Sequence, residues 1–219
     1  LKSLTVENYL KAIYSISTRT PSGDASTGEL ARRLRLTPGT VTSMVQRLAE
    51  AGLADYKVHH GVRLTEEGVS AALRVIRRHR LIELFLWKTL GLPWDAVHDE
   101  AEHLEHAASD RLIDRIDEYL GYPDRDPHGD PIPDSDGRLP PEQGKSLAAC
   151  ASQTEFELLR VPDDSPDFLR YLSQGGLNVG TKATVLENNP SVGILVIKVG
   201  QSQISLGRET AGRLIVKPV

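Results

Sequence analysis

Residues 98–106 read His-Asp-Glu-Ala-Glu-His-Leu-Glu-His, so three of the chain's seven histidines and four carboxylates fall in one short run. On a helix, positions three and four apart share a face. His98, Glu102, Glu105 and His106 then line one stripe, and Glu102, Glu105 and His106 make a compact oxygen, oxygen, nitrogen triplet. Crowded like charges repel, and a divalent cation would neutralise them. The plainer alternative is a solvated charged helix, which does not ask for three histidines. Earlier in the chain His79 and Glu83 form an i,i+4 pair, and the N-terminal segment offers Glu7, Asn8 and Lys11. With no thiolate or thioether in the run, these donors suit Mn²⁺ or Fe²⁺, and also Zn²⁺ or Co²⁺.

A second group of residues has the chemistry of DNA recognition. Thr37 is placed to cap a helix whose first residue is Pro38, where a missing N–H costs least. Val41, Met44, Val45 and Leu48 form the apolar face of that helix. The other side carries Thr40, Thr42, Ser43, Gln46 and Arg47, with Gly39 at its start. Short hydroxyls allow close approach to a duplex, and Gln46 and Arg47 can bond to bases or backbone. The N-terminus at Thr37 and Pro38 favours a phosphate. Arg32, Arg33 and Arg35 precede this helix, and Lys57, His60 and Arg63 lie near a hairpin tip that follows it. They would add sequence-independent attraction.

These groups need elements to hold them. Val6, Leu10, Ile13 and Ile16 predict a helix over 4–17, and a shorter helix follows over about 27–35. Leu53–Val58 and Val62–Thr65 flank His59-His60-Gly61 as a hairpin. Two short helices and a hairpin make a winged helix-turn-helix. Thr65 then caps a long helix to about Leu90, Leu92-Pro93-Trp94 breaks it, and helices follow over about 94–108 and 109–120. Residues 121–144 carry six prolines between Pro123 and Pro141 and read as a linker or irregular loop. Beyond Glu155, the runs Lys182–Leu186, Val192–Val199, Gln203–Leu206 and Arg213–Lys217 predict short strands of a small β-barrel. The expected class is mainly α with a small β domain. Domains are expected at 1–70 (DNA binding), 71–140 (helical, metal binding and dimerisation), 141–153 (linker) and 154–219 (β).

Charge follows this division. Residues 1–65 hold nine Lys/Arg against five Asp/Glu, residues 66–140 nine against seventeen, and residues 141–219 eight against eight. A basic first third beside an acidic middle fits a nucleic-acid face beside a cation site. The single cysteine, Cys150, excludes an intrachain disulfide and makes a cytoplasmic setting the expectation. No apolar run is long enough for a membrane span.

Taken in order, these motifs resemble the DtxR/MntR family of metal-dependent repressors. Glu7-Asn8-Tyr9-Leu10 with Ile13-Tyr14 is similar to the family's opening helix. Arg78-His79-Arg80-Leu81 and Val97–His106 are similar to its metal-binding segments, and Pro127-His128-Gly129-Asp130-Pro131-Ile132-Pro133 to the loop after them. The C-terminal part resembles the SH3-like, FeoA-type domain of the longer members. The resemblance implies one metal position from Glu102, Glu105 and His106 with Asn8, and a second from His79, Glu83 and His98. It allows further ligands from Asp163, Asp164 or Asp167. Iron-type members carry Met and Cys where this chain has Asn8 and Glu102, manganese-type members carry an acid at both, and Lys11 stands where the latter have a further acid. An amide oxygen at Asn8 still serves a hard cation, so the expected metal is Mn²⁺ with Fe²⁺ as the alternative, and Zn²⁺, Co²⁺ or Cd²⁺ able to substitute in vitro.

The expected function is a homodimeric repressor of metal-uptake genes on a palindromic operator, with Leu84, Leu104, Leu112 and Ile116 on the dimer face, and not an enzyme. His59, His60 and His128 fall outside the metal set, and His128 is expected to hold its loop in shape. The rivals are a metal-independent winged-helix regulator with an organic effector, and a metallohydrolase. The hydrolase lacks a nucleophile motif or a general base apart from the ligands.

Overall fold

The structure, a computed structural model, describes residues 4–58, 60–162 and 165–219. Contacts divide the chain into two compact units, residues 1–78 with 133–138, and residues 79–132 with 139–219. In the first unit, α1 (Leu4–Ser17), α2 (Thr27–Leu34) and α3 (Pro38–Glu50) precede the hairpin β1 (Ala54–Lys57) and β2 (Gly61–Leu64). The apolar stripe of α1 is buried as its spacing requires: Val6, Leu10, Ile13 and Ile16 join Leu30, Val41, Val45, Leu48 and Val62 in one core. Ser26 caps α2 by accepting from Glu29 N, and Thr37 caps α3 by accepting from Thr40 N. Between them Arg35 takes a left-handed φ of 54° and makes the tight turn of the helix-turn-helix.

Helix α4 (Glu66–Leu90) follows the wing. Thr65 accepts from Gly68 N and donates to Gly52 O, which ties the end of α3 to the start of α4. Gly68 cannot be larger, because a Cβ there would lie 1.9 Å from Leu53 O.

In the second unit the later part of α4 packs with α5 (Val97–Leu104) and α6 (Asp110–Leu120) around Leu81, Ile82, Leu84, Val97, Ala101, Ile113 and Ile116. Helix α5 is shorter than expected. Glu105–Ala107 form a turn, because Ser109 starts α6 by accepting from Leu112 N and the chain must reverse before it. The proline-rich stretch is irregular, as its composition requires, yet Asp126, His128 and Ile132 in it are buried.

The C-terminal part is a six-stranded antiparallel sheet in the order β3-β8-β4-β5-β6-β7, from β3 (Lys145–Ser146), β4 (Glu155–Arg160), β5 (Lys182–Asn189), β6 (Ile194–Val199), β7 (Ser202–Gly207) and β8 (Ile215–Pro218). Bulges in β4 after Leu158 and in β5 after Val185 let it bend. Helix α8 (Arg208–Arg213) touches both edge strands, β7 and β3, where a closed barrel would have a ladder. Helix α7 (Pro166–Gln174) lies on the core through Leu169 and Leu172. The strand expectation missed α7, although Ser165, Pro166 at the first helical position, and the Leu169/Leu172 spacing were a readable start signal. No helix among the described residues is long and apolar enough to cross a membrane.

Candidate functional site

Helix α3 turns its apolar side inward and most of its polar side outward. Val41, Val45 and Leu48 are fully buried, while Pro38, Gly39, Thr40, Ser43, Gln46 and Arg47 are exposed. Thr37 is exposed too, its hydroxyl 2.9 Å from that of Thr40. Thr42 is half-buried and donates to Pro38 O, so its hydroxyl is already engaged. Lys57 and His60 are exposed at the wing; His59 lies outside the described residues. Arg63 is not a free wing cation, since it pairs with Asp24 at 3.1 Å and donates to Ser22 O.

The metal-type residues converge in the second unit, where α4 supplies His79 and Glu83 and α5 supplies His98 and Glu102. Glu105 follows from the turn after α5. Donor atoms of His79, Glu83 and His98 lie within 4.8 Å of one another, and so do those of His79, Glu102 and Glu105. His79 joins the two sets. Its Nδ1 is 2.6 Å from Glu105 Oε2, and its Nε2 is 2.9 Å from Glu83 Oε1 and 3.1 Å from His98 Nδ1. His106 Nε2 stands 3.2 Å from Glu105 Oε1. The resemblance assigned His79 to one set only; that its two ring nitrogens face different sets is a tertiary fact.

Burial sets the electrostatics. Glu105 is fully buried and Glu83 is 2 % exposed. Burial alone would raise the Glu83 carboxyl, but the charge and hydrogen bond of His79, the hydrogen bond of His98 and the charge of His128 outweigh it and hold the group well below the usual carboxylate range. Buried carboxylates of this kind persist where cationic or metal partners compensate them. Asn8, on α1 of the first unit, has its Oδ1 covered and without a hydrogen-bond partner. A buried carbonyl oxygen left in that state fits a ligand atom. The oxygen and imidazole donors therefore fit a hard or borderline divalent cation.

The other expected residues stand apart. Asp167 lies exposed in the first turn of α7 and pairs with Arg170, outside these groups. Asp163 and Asp164 lie outside the described residues. Of the expected dimer-face residues, Leu84 and Ile116 are buried in their own chain's core. Leu104 and Leu112 are 44 % and 51 % exposed, and Trp87, Leu90 and Tyr119 are exposed too.

The sequence reading missed Asp126 as a functional candidate and set His128 aside. Both are buried, and both come within reach of Glu83. Burial, with repulsion from Asp130 and Glu83, pushes the Asp126 carboxyl well above its ordinary range despite the nearby Arg80. The signal available was the histidine within the Asp-Pro-His-Gly-Asp loop, since Asp, Pro and Gly alone serve a turn.

Comparison with known proteins agrees with this geometry. Residues 3–62 match "Iron dependent repressor, N-terminal DNA binding domain", residues 65–134 match "Iron dependent repressor, metal binding and dimerisation domain", and residues 145–218 match "FeoA domain". The chain is 30 % identical over 233 residues to the iron-dependent repressor IdeR of Mycobacterium leprae, covering 98 % of this chain and 97 % of that one. A solved "Manganese-dependent transcriptional repressor complex with manganese" superposes with a TM-score of 0.88 at 39 % identity, covering 98 % of this chain and all of the other. ScaR with bound Zn²⁺ superposes with a TM-score of 0.82 at 32 % identity over 98 % and 99 % of the two chains. The chain belongs to the iron-dependent repressor family of metal-sensing, DNA-binding transcriptional regulators, in the longer form that ends in a FeoA domain, and it is not an enzyme.

Proposed function

We propose that this chain is a homodimeric repressor that binds a palindromic operator when loaded with Mn²⁺, with Fe²⁺ as the alternative ion, and that it controls metal-uptake genes. The observation that carries the reading is His79, whose two ring nitrogens face two buried carboxylate sets. One ion is held by His79, Glu83 and His98. The other is held by Glu102, Glu105 and His106, completed by Asn8 from the reading domain. The preference for Mn²⁺ rests on the donors: Glu102 and Asn8 offer oxygen, with no thiolate or thioether to favour a softer ion. The manganese- and zinc-bound relatives support a divalent site without choosing between the metals. A cytoplasmic setting fits a DNA partner.

The chain's own residues supply the switch. Asn8 sits on α1, which packs in the same core as α3. An ion that recruits Asn8 to the carboxylates favours one orientation of the reading helix. Only that differential affinity can shift the equilibrium. Exposed Trp87, Leu104, Leu112 and Tyr119 provide apolar area for the partner copy, and a two-fold dimer calls for an operator with two half-sites. The proposed division is 1–70, 71–140, 141–153 and 154–219, with Lys145–Ser146 and Leu147 joining the β domain from within the 141–153 stretch.

The test is binding to a metal-uptake promoter fragment with chelator and then with Mn²⁺, Fe²⁺ under anaerobic conditions, or Zn²⁺. Tight binding only with metal supports the switch and ranks the ions. Equal binding with and without chelator removes it.

A further inference from the structure

Among the described residues, one buried donor set remains outside these two positions. Donor atoms of Glu83, Asp126 and His128 lie within 4.8 Å of one another, and the residues are 2 %, 5 % and 5 % exposed. Each has one side committed to structure and another turned to the shared space. His128 Nε2 donates to Trp94 O at 2.7 Å, so Nδ1 is the nitrogen that a metal would take from the neutral ring. That Nδ1 makes no hydrogen bond among the described residues and faces Glu83 Oε2 at 4.0 Å. An imidazole anchored through one nitrogen to a carbonyl, with the other bare, is the usual arrangement of a metal-bound histidine. Asp126 Oδ1 accepts from His128 N at 2.8 Å and Asp130 N at 2.9 Å. Its Oδ2 is 3.7 Å from Arg80 Nε, beyond hydrogen-bond length. Glu83 divides as well, with Oε1 toward His79 and His98 and Oε2 toward His128.

We propose that Glu83, Asp126 and His128 form a further binding position for a divalent first-row transition ion, sharing the Glu83 carboxylate with the His79/His98 position. Metal–ligand bonds of about 2.1 Å put neighbouring and opposite donors about 3 to 4.3 Å apart, so the 4.0 Å gap between Glu83 and His128 suits an ion with little movement. Two oxygens and one imidazole select the same class of ion as the other positions. Arg80 is the protein's own cation nearby, but it also reaches Asp130 at 4.0 Å and donates to Pro131 O, so it does not neutralise both buried carboxylates. The position has a structural consequence too. Its loop binds the β domain, through His128 O accepting from Val161 N at 2.8 Å and through the Asp130–Arg160 pair. An ion there ties the metal helices to the FeoA domain.

This proposal rests on the metal-sensor reading, and the test separates the two. The full chain is stripped with chelator and titrated with Mn²⁺, free ion being followed by electron paramagnetic resonance. His128→Gln keeps an N–H for Trp94 O and deletes Nδ1. Asp126→Asn keeps the acceptor for the two backbone N–H groups and deletes the charge. Each variant, folded by circular dichroism, is expected to bind one Mn²⁺ fewer per chain than wild type. Anomalous diffraction from Mn²⁺-loaded wild-type crystals is expected to show a peak between Glu83 and His128, a readout that does not depend on the variants folding. Equal loading of wild type and folded variants, or no peak there, overturns this position and leaves the sensor reading intact. No Mn²⁺ uptake by wild type overturns both.

Discussion

The run 98–106 brings donors to His79 and Glu83, and the loop 124–132 brings donors to Glu83, but they do so by different means. The run does it by periodicity: one helical stripe carries His98 and Glu102, and the turn after it carries Glu105. The loop has no period. Asp126 gathers it by accepting from two backbone N–H groups, and Arg80, Trp94, Arg160 and Val161 hold it from outside. A helical stripe is fixed by local geometry, so its chemistry can be read from spacing. A loop site exists only once distant partners are in place, so the same donor types in it look like turn residues.

The two regions should therefore break differently. Glu105→Ala removes a fully buried carboxylate that faces both His79 and His106. Metal-dependent operator affinity, read by fluorescence anisotropy across a Mn²⁺ titration, is expected to fall at least about 100-fold, at the top of the range for losing a group that orients metal ligands. Circular dichroism separates this loss from any loss of folding. Gly129→Ala does the reverse. Its φ is +80°, and a Cβ there would lie 2.0 Å from Leu159 O. The clash is with backbone and cannot relax by a side-chain shift. A loss of about 3–5 kcal/mol of stability is expected, the far tail for single substitutions. Gly91→Ala is the control. Its φ is +70° with nothing within 4 Å, so only the left-handed penalty of about 1–2 kcal/mol applies. Equal melting temperatures for the two variants would show that the loop is not pinned to β4.

Legibility in the sequence followed the same line. Much of the reading domain was visible, because Thr37 and Thr65 are local start signals that the structure uses as caps, with Pro38 at the first helical position; the cap at Ser26 was not read. The C-terminal sheet was visible as alternating runs, but its ends were not. Val192 was read into a strand that starts at Ile194, because Asn189 Oδ1 accepts from Ser191 N and Val192 N and keeps them in the turn. Arg213 was read as strand but closes α8, a short helix with Gly207 at its start and Gly212 inside. Nothing local marks that helix; it is held by its contacts with the sheet edges. His79 was legible as a candidate ligand. Its service to two donor sets was not, because that depends on how α5 packs across α4.

The loop's carboxylate gives a smaller, pH-dependent effect. Burial raises the Asp126 carboxyl in the folded chain, and the neighbouring acids add to it. Below the ordinary aspartate range the group is protonated in both folded and unfolded chains and costs nothing. As pH rises through that range toward the raised value, the unfolded chain releases its proton first, and the folded state loses stability. In chelator, Asp126→Asn is therefore expected to melt higher than wild type at neutral pH, with the gain shrinking to nothing as pH falls below the ordinary aspartate range. A gain that instead grows on acidification would mean that Asp126 is held ionised, with Arg80 as its true partner. With saturating Mn²⁺ the sign should reverse, because the ion stabilises the wild-type carboxylate by binding only the folded chain.

The smallest effect is expected inside the periodic run itself, from His103→Ala. His103 lies between Glu102 and Glu105 in sequence, yet its side chain points off the stripe into solvent and joins neither donor set. Composition alone would count it among the ligands; helical phase excludes it. Mn²⁺ affinity by competition with a chromogenic chelator, and operator affinity at saturating Mn²⁺, should both stay within about twofold of wild type, the range of an exposed substitution. A tenfold loss of Mn²⁺ affinity in this variant would mean that α5 turns when metal binds. The stripe would then not be the feature that selects the ligands, and the contrast between a preset helix and a tertiary loop would fail at its better-defined end.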